Sequence, residues 1–163
     1  MRFTLLQIAA VVGIGGTLLS VAVPAFLANL SASKLSEPVD NLRIVVTHSL
    51  TYGDRHAGLE SFPPSVELTP KDVPKGIVVV DPPGTWDHLT WRALDFKMTG
   101  PHAFSYEFVS AADPISGATR FTATAHGDLD GDGSASTFSV YGEKLPGQEA
   151  RALPGMFIDR EVE

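Results

Sequence analysis

The stretch TRFTATAHGDLDGDG, Thr119–Gly133, carries two signals in one run. Phe121, Ala123 and Ala125 alternate with Thr122, Thr124 and His126. Side chains of an extended chain point to opposite faces in turn, so this period of two predicts a half-buried strand. The run then breaks into Asp and Gly, residues that adopt the positive φ of a tight turn at little cost. A second β-prone run follows at Thr137–Tyr141. The two runs predict an antiparallel hairpin with Asp128–Gly133 at its tip.

Outward from this hairpin the same reasoning finds three further β-prone runs. In Ala103–Val109, Phe104, Tyr106 and Phe108 share one side while Ser105 and Glu107 share the other. Leu89–Phe96 is a second run and Ile77–Val80 a third, and Gly76–Val80 reads as a plain buried strand rather than a docking edge. Gly53–Pro74 reads as irregular, punctuated by Phe62-Pro63-Pro64 and Thr69-Pro70. The tail Leu153–Val162 is read as an edge strand or a surface segment. Trp86 and Trp91 are expected in a small core beside Phe96, Phe104, Tyr106 and Phe108, with stacking on a ligand as the alternative.

The chain before the strands is helical in pattern. Leu42, Val45, Val46 and Leu50, with Ser49, recur at spacings of three and four, which predicts an amphipathic helix over about 39–51. Pro38 is expected to interrupt or start it. Earlier still, FTLLQIAAVVGIGGTLLSVAVPAFLANL, Phe3–Leu30, contains no charged residue. Roughly 20 apolar residues span a bilayer core as a helix. Three readings of this segment stand: a retained transmembrane anchor, a secretory signal cut near Ala28 or Ala32, and a buried core helix. The first gives an α+β fold. A long hydrophobic N-terminal helix, kinked at Pro24, packs on a small antiparallel sheet. Residues 1–30 are then a transmembrane and assembly helix, and 31–163 an exported globular domain.

Charge narrows the partners. The formal net charge is -7, and from Leu35 onward 10 Lys and Arg face 19 Asp and Glu. Nucleic acid demands a basic face, so it is not expected as a partner. There is no cysteine, which removes disulfides and thiolate chemistry.

Specific residues resemble a known family. Phe3-Thr4-Leu5-Leu6-Gln7, then Ala9 to Gly15 and Ala22-Val23-Pro24-Ala25-Phe26, are similar to the N-terminus of type IV pilins and type II secretion pseudopilins. Ser36 to Leu42, Phe62-Pro63, Leu68-Thr69-Pro70, Trp86, Trp91 to Phe96, Phe104-Ser105-Tyr106, Phe121 to Gly133 with Ser136-Thr137-Phe138, and Pro154 to Ile158 resemble the continuation in a bacterial pilin-like branch. The resemblance implies a single-pass subunit of the inner membrane with its C-terminal domain in the periplasm. Its partners are lipid, a prepilin peptidase that clips before Phe3, the assembly machinery and other pilin-like subunits of a pilus or pseudopilus filament. Two positions depart from the family: Arg2 stands where glycine precedes the cut, and Gln7 where a glutamate pairs with the new N-terminal ammonium. Both point to a minor or divergent subunit.

One pattern points to chemistry. Asp128, Asp130 and Asp132 at i, i+2, i+4 before Gly133 match the opening of a calcium loop, with Ser134 and Ser136 as further contacts. The bidentate glutamate of a full EF-hand loop is replaced by Ser139, so any Ca2+ site is weak. The competing reading is a plain Asp/Gly turn. An exported calcium-dependent binding module, released by signal peptidase, is the alternative function. None of His48, His56, His88, His102 and His126 falls in a ligand motif, and each reads as a surface or strand residue. Asp87 and His88 with Ser110 or Ser136 make a triad only on paper, so the chain is not read as an enzyme.

Overall fold

The computed structural model describes residues 36–160. Among them, a helix over 36–55 (α1) precedes a 3-10 turn at Gly58–Glu60 and strand β1, Val66–Thr69. A short helix α2, Leu89–Ala93, leads to three long strands, β2 (Phe104–Ala112), β3 (Thr119–Gly127) and β4 (Ser136–Lys144). Two short strands close the described chain, β5 (Arg151–Ala152) and β6 (Phe157–Asp159). The sheet is antiparallel, ordered β1-β2-β3-β4-β5, with β6 also on β4. The β1–β2 register slips between Val66 and Thr69, so β1 is bulged.

This architecture corrects the expected one. The described residues are mostly a six-stranded antiparallel sheet with the helix over 36–55, not a long apolar helix on a small sheet. No helix among them is long and apolar enough to cross a membrane. α1 carries Glu37, Asp40, Arg43, Asp54 and Arg55, so it lies on the sheet by one face and meets water with the other. The transmembrane helix and the single-pass inner-membrane location therefore have nothing to rest on among the described residues. Phe3–Leu30, the Pro24 kink and the anchor placed there lie outside them.

Register explains how the sheet receives α1. Across β2, β3 and β4, Tyr106 pairs with Ala125 and Ala125 with Phe138; Phe108 pairs with Ala123 and Ala123 with Val140. Large side chains on the outer strands thus flank small ones on the central strand. Two glycines extend the pattern. A Cβ at Gly127 would meet the Phe104 ring, and one at Gly142 would meet the Phe121 ring. Leu42, Val45 and Ser49 of α1 are fully buried against this face, at 0%, 1% and 0% exposure. Pro38 lies inside the described helix rather than ahead of it.

Both ends of α1 are fastened. At the first described turn, the Glu37 carboxylate accepts the backbone N–H of Ala103 (3.0 Å) and Phe104 (3.2 Å) and the Tyr106 hydroxyl (3.3 Å). Asn41 donates to the same Tyr106 oxygen at 2.8 Å. At the far end the Lys144 ammonium donates to the carbonyls of Gly53 and His56. A cation at a helix C-terminus also meets the negative end of its dipole. Gly53 allows this approach, because a Cβ there would press on Ala150 and the Phe62 ring.

Two other expectations are corrected. Leu89–Phe96 forms α2 and a turn instead of a strand. Trp91 and Leu94, three residues apart, are both fully buried, and the Phe96 N–H bonds back to the Trp91 carbonyl at 2.9 Å. His88 caps this helix through the Thr90 N–H. Ile77–Val80 is neither a buried strand nor part of the sheet, for Ile77, Val78 and Val80 are all exposed. The tryptophans do fill the core: Trp86, Trp91, Phe96 and Tyr106 pack ring against ring, and Trp91 Nε1 donates to Thr69 Oγ1 at 2.9 Å.

Burial holds the Glu37 carboxyl above its usual value of 4.5, although the Ala103 amide, the His102 ring, the Phe104 amide and the Tyr106 hydroxyl pull it down. An acid with a raised folded pKa adds stability in full below its unfolded value and loses that stability as pH rises through the folded one. Removing the acid removes this slope. Unfolding free energies measured in urea from pH 4.5 to neutrality should therefore show the unmodified chain losing ground to Glu37→Gln as pH rises. A constant difference between the two would assign the slope to another group.

Candidate functional site

The β3–β4 hairpin forms as its sequence predicts, with residues 128–135 as the connection. Asp128 follows Gly127 and is only 3% exposed. Its backbone carbonyl accepts the Gly76 N–H at 2.7 Å, which braces the loop against the segment after β1. Its carboxylate accepts two loop amides, Gly131 on Oδ1 (2.7 Å) and Gly133 on Oδ2 (3.0 Å). Gly131 and Gly133 sit at φ of 80° and 96°, a region that favours glycine. Leu129 packs partly against the core.

The next two carboxylates repeat the theme outside the core. Asp130 Oδ1 accepts the Asp132 N–H at 3.1 Å, and Asp132 Oδ1 accepts the Ser134 N–H at 2.6 Å. The Ser134 amide, and then its hydroxyl, hold the Asp132 carboxyl below the usual range. One oxygen from each of Asp128, Asp130 and Asp132 lies within 4.8 Å of the other two. Such convergence of oxygens suits a hard cation, and each oxygen that accepts an amide keeps a second lone pair. Ser136 is placed differently. It is buried at the hairpin base, with its hydroxyl donating to the Gly127 carbonyl at 2.9 Å. The structure thus brings three of the five expected ligands together, sets Ser134 beside Asp132, and gives Ser136 a structural bond. Phe3, Gln7 and Pro24 lie outside the described residues.

The histidines serve local structure, with one surprise. His48 reaches the Leu94 carbonyl and His56 the Tyr52 carbonyl, both through Nδ1. His126 lies 3.7 Å from Glu107 on the neighbouring β2. His102 is fully buried, in a bridge with Val79 just ahead of β2. Its Nδ1 meets the Phe104 carbonyl and its Nε2 the Asp81 carboxylate, each at 2.8 Å. Trp86 Nε1 donates to the same Asp81 oxygen at 2.6 Å. No spacing in the sequence announces this group, because its members come from separate segments. The paper triad is not assembled: His88 caps α2, and Ser110 Oγ donates to the Pro63 carbonyl.

Comparison with protein-family models, with curated proteins and with solved structures finds no match to this chain.

The loop geometry separates its three acids. Asp128→Ala leaves two loop amides without their acceptor, one side of a partly buried turn, and should cost about 1–3 kcal/mol. Asp130→Ala removes one exposed bond and should cost well under that. Denaturant unfolding of the two variants gives the comparison. Equal losses would place the loop's support elsewhere than at Asp128.

Proposed function

We propose that this chain is a structural subunit of a filament of the type IV pilus or type II secretion pseudopilus kind. It assembles with other pilin-like subunits through its apolar N-terminal segment, after processing before Phe3. The observation that carries this reading is the spread of pilin-like residues over nearly the whole sequence, from Phe3-Thr4-Leu5-Leu6-Gln7 and Pro24 to Pro154-Gly155-Met156-Phe157-Ile158. The described domain supports it in one respect. Glu37 and Lys144 hold helix to sheet and Asp128 holds its loop in place, as a subunit built for mechanical integrity requires.

The acidic loop favours a second element within this reading. Asp128, Asp130 and Asp132 would hold a calcium ion, with the Asp128 side chain preset by the Gly131 and Gly133 amides. Calcium suits the loop better than magnesium, since a short surface loop cannot easily impose a strict octahedron. Without a bidentate glutamate the affinity belongs on the order of 10⁻⁴ to 10⁻³ M.

Two measurements test these readings separately. Filaments sheared from cells should contain the chain, its mature N-terminus should be Phe3, and Gln7→Glu should be incorporated at least as well as the natural residue. A chain found only in the medium and starting near Asn29 or Ser33 would replace the filament reading with a secreted module. For calcium, the melting midpoint of the full chain should rise in millimolar calcium over chelator, and less in magnesium, because a ligand that binds only the folded state stabilises it. Asp130→Asn with Asp132→Asn should abolish the rise. Equal midpoints in calcium and chelator, with no heat in titration calorimetry, would leave an Asp/Gly turn.

A further inference from the structure

The segment Lys-Gly-Ile-Val-Val-Val-Asp, 75–81, is the most conspicuous apolar feature on the described surface. Ile77, Val78 and Val80 are 62%, 54% and 66% exposed. Val79 between them is anchored. Its N–H donates to the His102 carbonyl and its carbonyl accepts the His102 N–H, both at 2.9 Å. Both main-chain groups of Val79 therefore face the start of β2. In extended chain the neighbouring residues face the opposite way. The N–H and C=O of Val78 and Val80 thus point outward, and among the described residues nothing bonds to them. Unpaired main chain beside exposed valines is a template for another strand.

We propose that this edge pairs, antiparallel and about a two-fold axis at Val79, with the same edge of a second copy of the chain. Register supports that occupant. With Val78 of one copy opposite Val80 of the other, the outward groups of both residues bond reciprocally in each half of the contact. Val79 then faces its own counterpart as a non-hydrogen-bonded pair, and the exposed Val78 and Val80 side chains of both copies share one face. Charge supports it as well. The segment is entered past exposed Lys71 and Lys75, with Asp72 between them, and is left past the exposed Asp87, the Asp81 carboxylate being turned inward onto Trp86 and His102. Antiparallel pairing brings the basic end of each copy toward the acidic end of the other, whereas parallel pairing would juxtapose like charges. Three side chains fall well short of the ~800 Å² per partner of a stable free-standing interface. The contact is therefore weak alone and becomes populated where copies are crowded side by side. It does not rest on the filament reading.

The absence of cysteine permits a direct test. Antiparallel non-hydrogen-bonded residues have Cα atoms about 4.5 Å apart, within disulfide reach. Full-length Val79→Cys, mildly oxidised at high concentration, should form a disulfide dimer severalfold faster than Ile115→Cys, which is 96% exposed elsewhere. Adding Val78→Lys to Val79→Cys should return the rate to the Ile115→Cys level. Should Val79→Cys misfold, sedimentation of the cysteine-free chain decides instead. Weak, concentration-dependent association should be lost on Val78→Lys with Val80→Lys. Cross-linking no faster at Val79 than at Ile115, or association unchanged by the lysines, overturns the contact.

Discussion

A helix can lie close on a sheet only where the sheet has little side chain to offer, and this domain is organised around that constraint. α1 starts over β2, where Glu37 takes the Ala103 and Phe104 amides, and ends over β4, where Lys144 takes the Gly53 and His56 carbonyls. Between those ends it passes over β3, whose inward residues after Phe121 are Ala123 and Ala125. Both are essentially inaccessible. The aromatic residues stand to either side: Phe104, Tyr106 and Phe108 on β2 and Phe138 on β4. A larger residue at Ala123 or Ala125 would lift the helix and open the aromatic rows to water. Overpacking of that kind typically costs 1–3 kcal/mol.

The polar fastenings make the same crossing specific. A helix held on a sheet by apolar contact alone could slide by a turn at modest cost, because apolar contacts are non-directional. Glu37 prevents this. Two backbone amides and a tyrosine hydroxyl converge on one carboxylate, and only one helix position satisfies all of them. The cost appears in the acid itself, whose proton affinity rises with burial. The buried Asp81 acts in the same way on the next layer. By receiving Trp86 Nε1 and facing His102 Nε2, it ties the segment after Val80 to the start of β2.

Much of this was legible from residue pattern. Phe104, Tyr106 and Phe108, and Phe121, Ala123 and Ala125, alternate cleanly because β2 and β3 are half-buried strands, and Leu42, Val45 and Ser49 mark the helix face. Pattern failed where two periods give the same short apolar run. In Leu89–Phe96 the burial of Trp91 with Leu94 follows a helical step, yet the residues are equally strand-formers. In Ile77–Val80 four β-prone residues suggested a buried strand. The chain on either side, with Gly76 at φ 64° and Pro82-Pro83 beyond, leaves only Val79 bonded to the sheet's neighbourhood. Glu37 and the Asp81–His102 pair carried no signal, since the groups that meet there lie at least 21 residues apart and come together only in the fold. The acidic loop was legible because its ligand spacing is local, whereas the distinct place of Ser136 was not.

The loop also shows why a cluster of acids does not by itself imply a bound ion. Three carboxylates within 4.8 Å repel one another. Here the amides of Gly131, Gly133, Asp132 and Ser134 are aimed at them and offset part of that repulsion. The same amides preorganise the oxygens, so a cation entering the loop would find ligands already converged and would spend little of its binding energy on ordering them. Support by amides and support by a cation are therefore compatible but unequal across the loop. Asp128 is buried and carries two amides, so its position is set by the chain. Asp130 and Asp132 are exposed and carry one each, so the remaining repulsion falls mainly on that pair. If a cation acts here, it acts by drawing Asp130 and Asp132 toward an Asp128 that is already fixed.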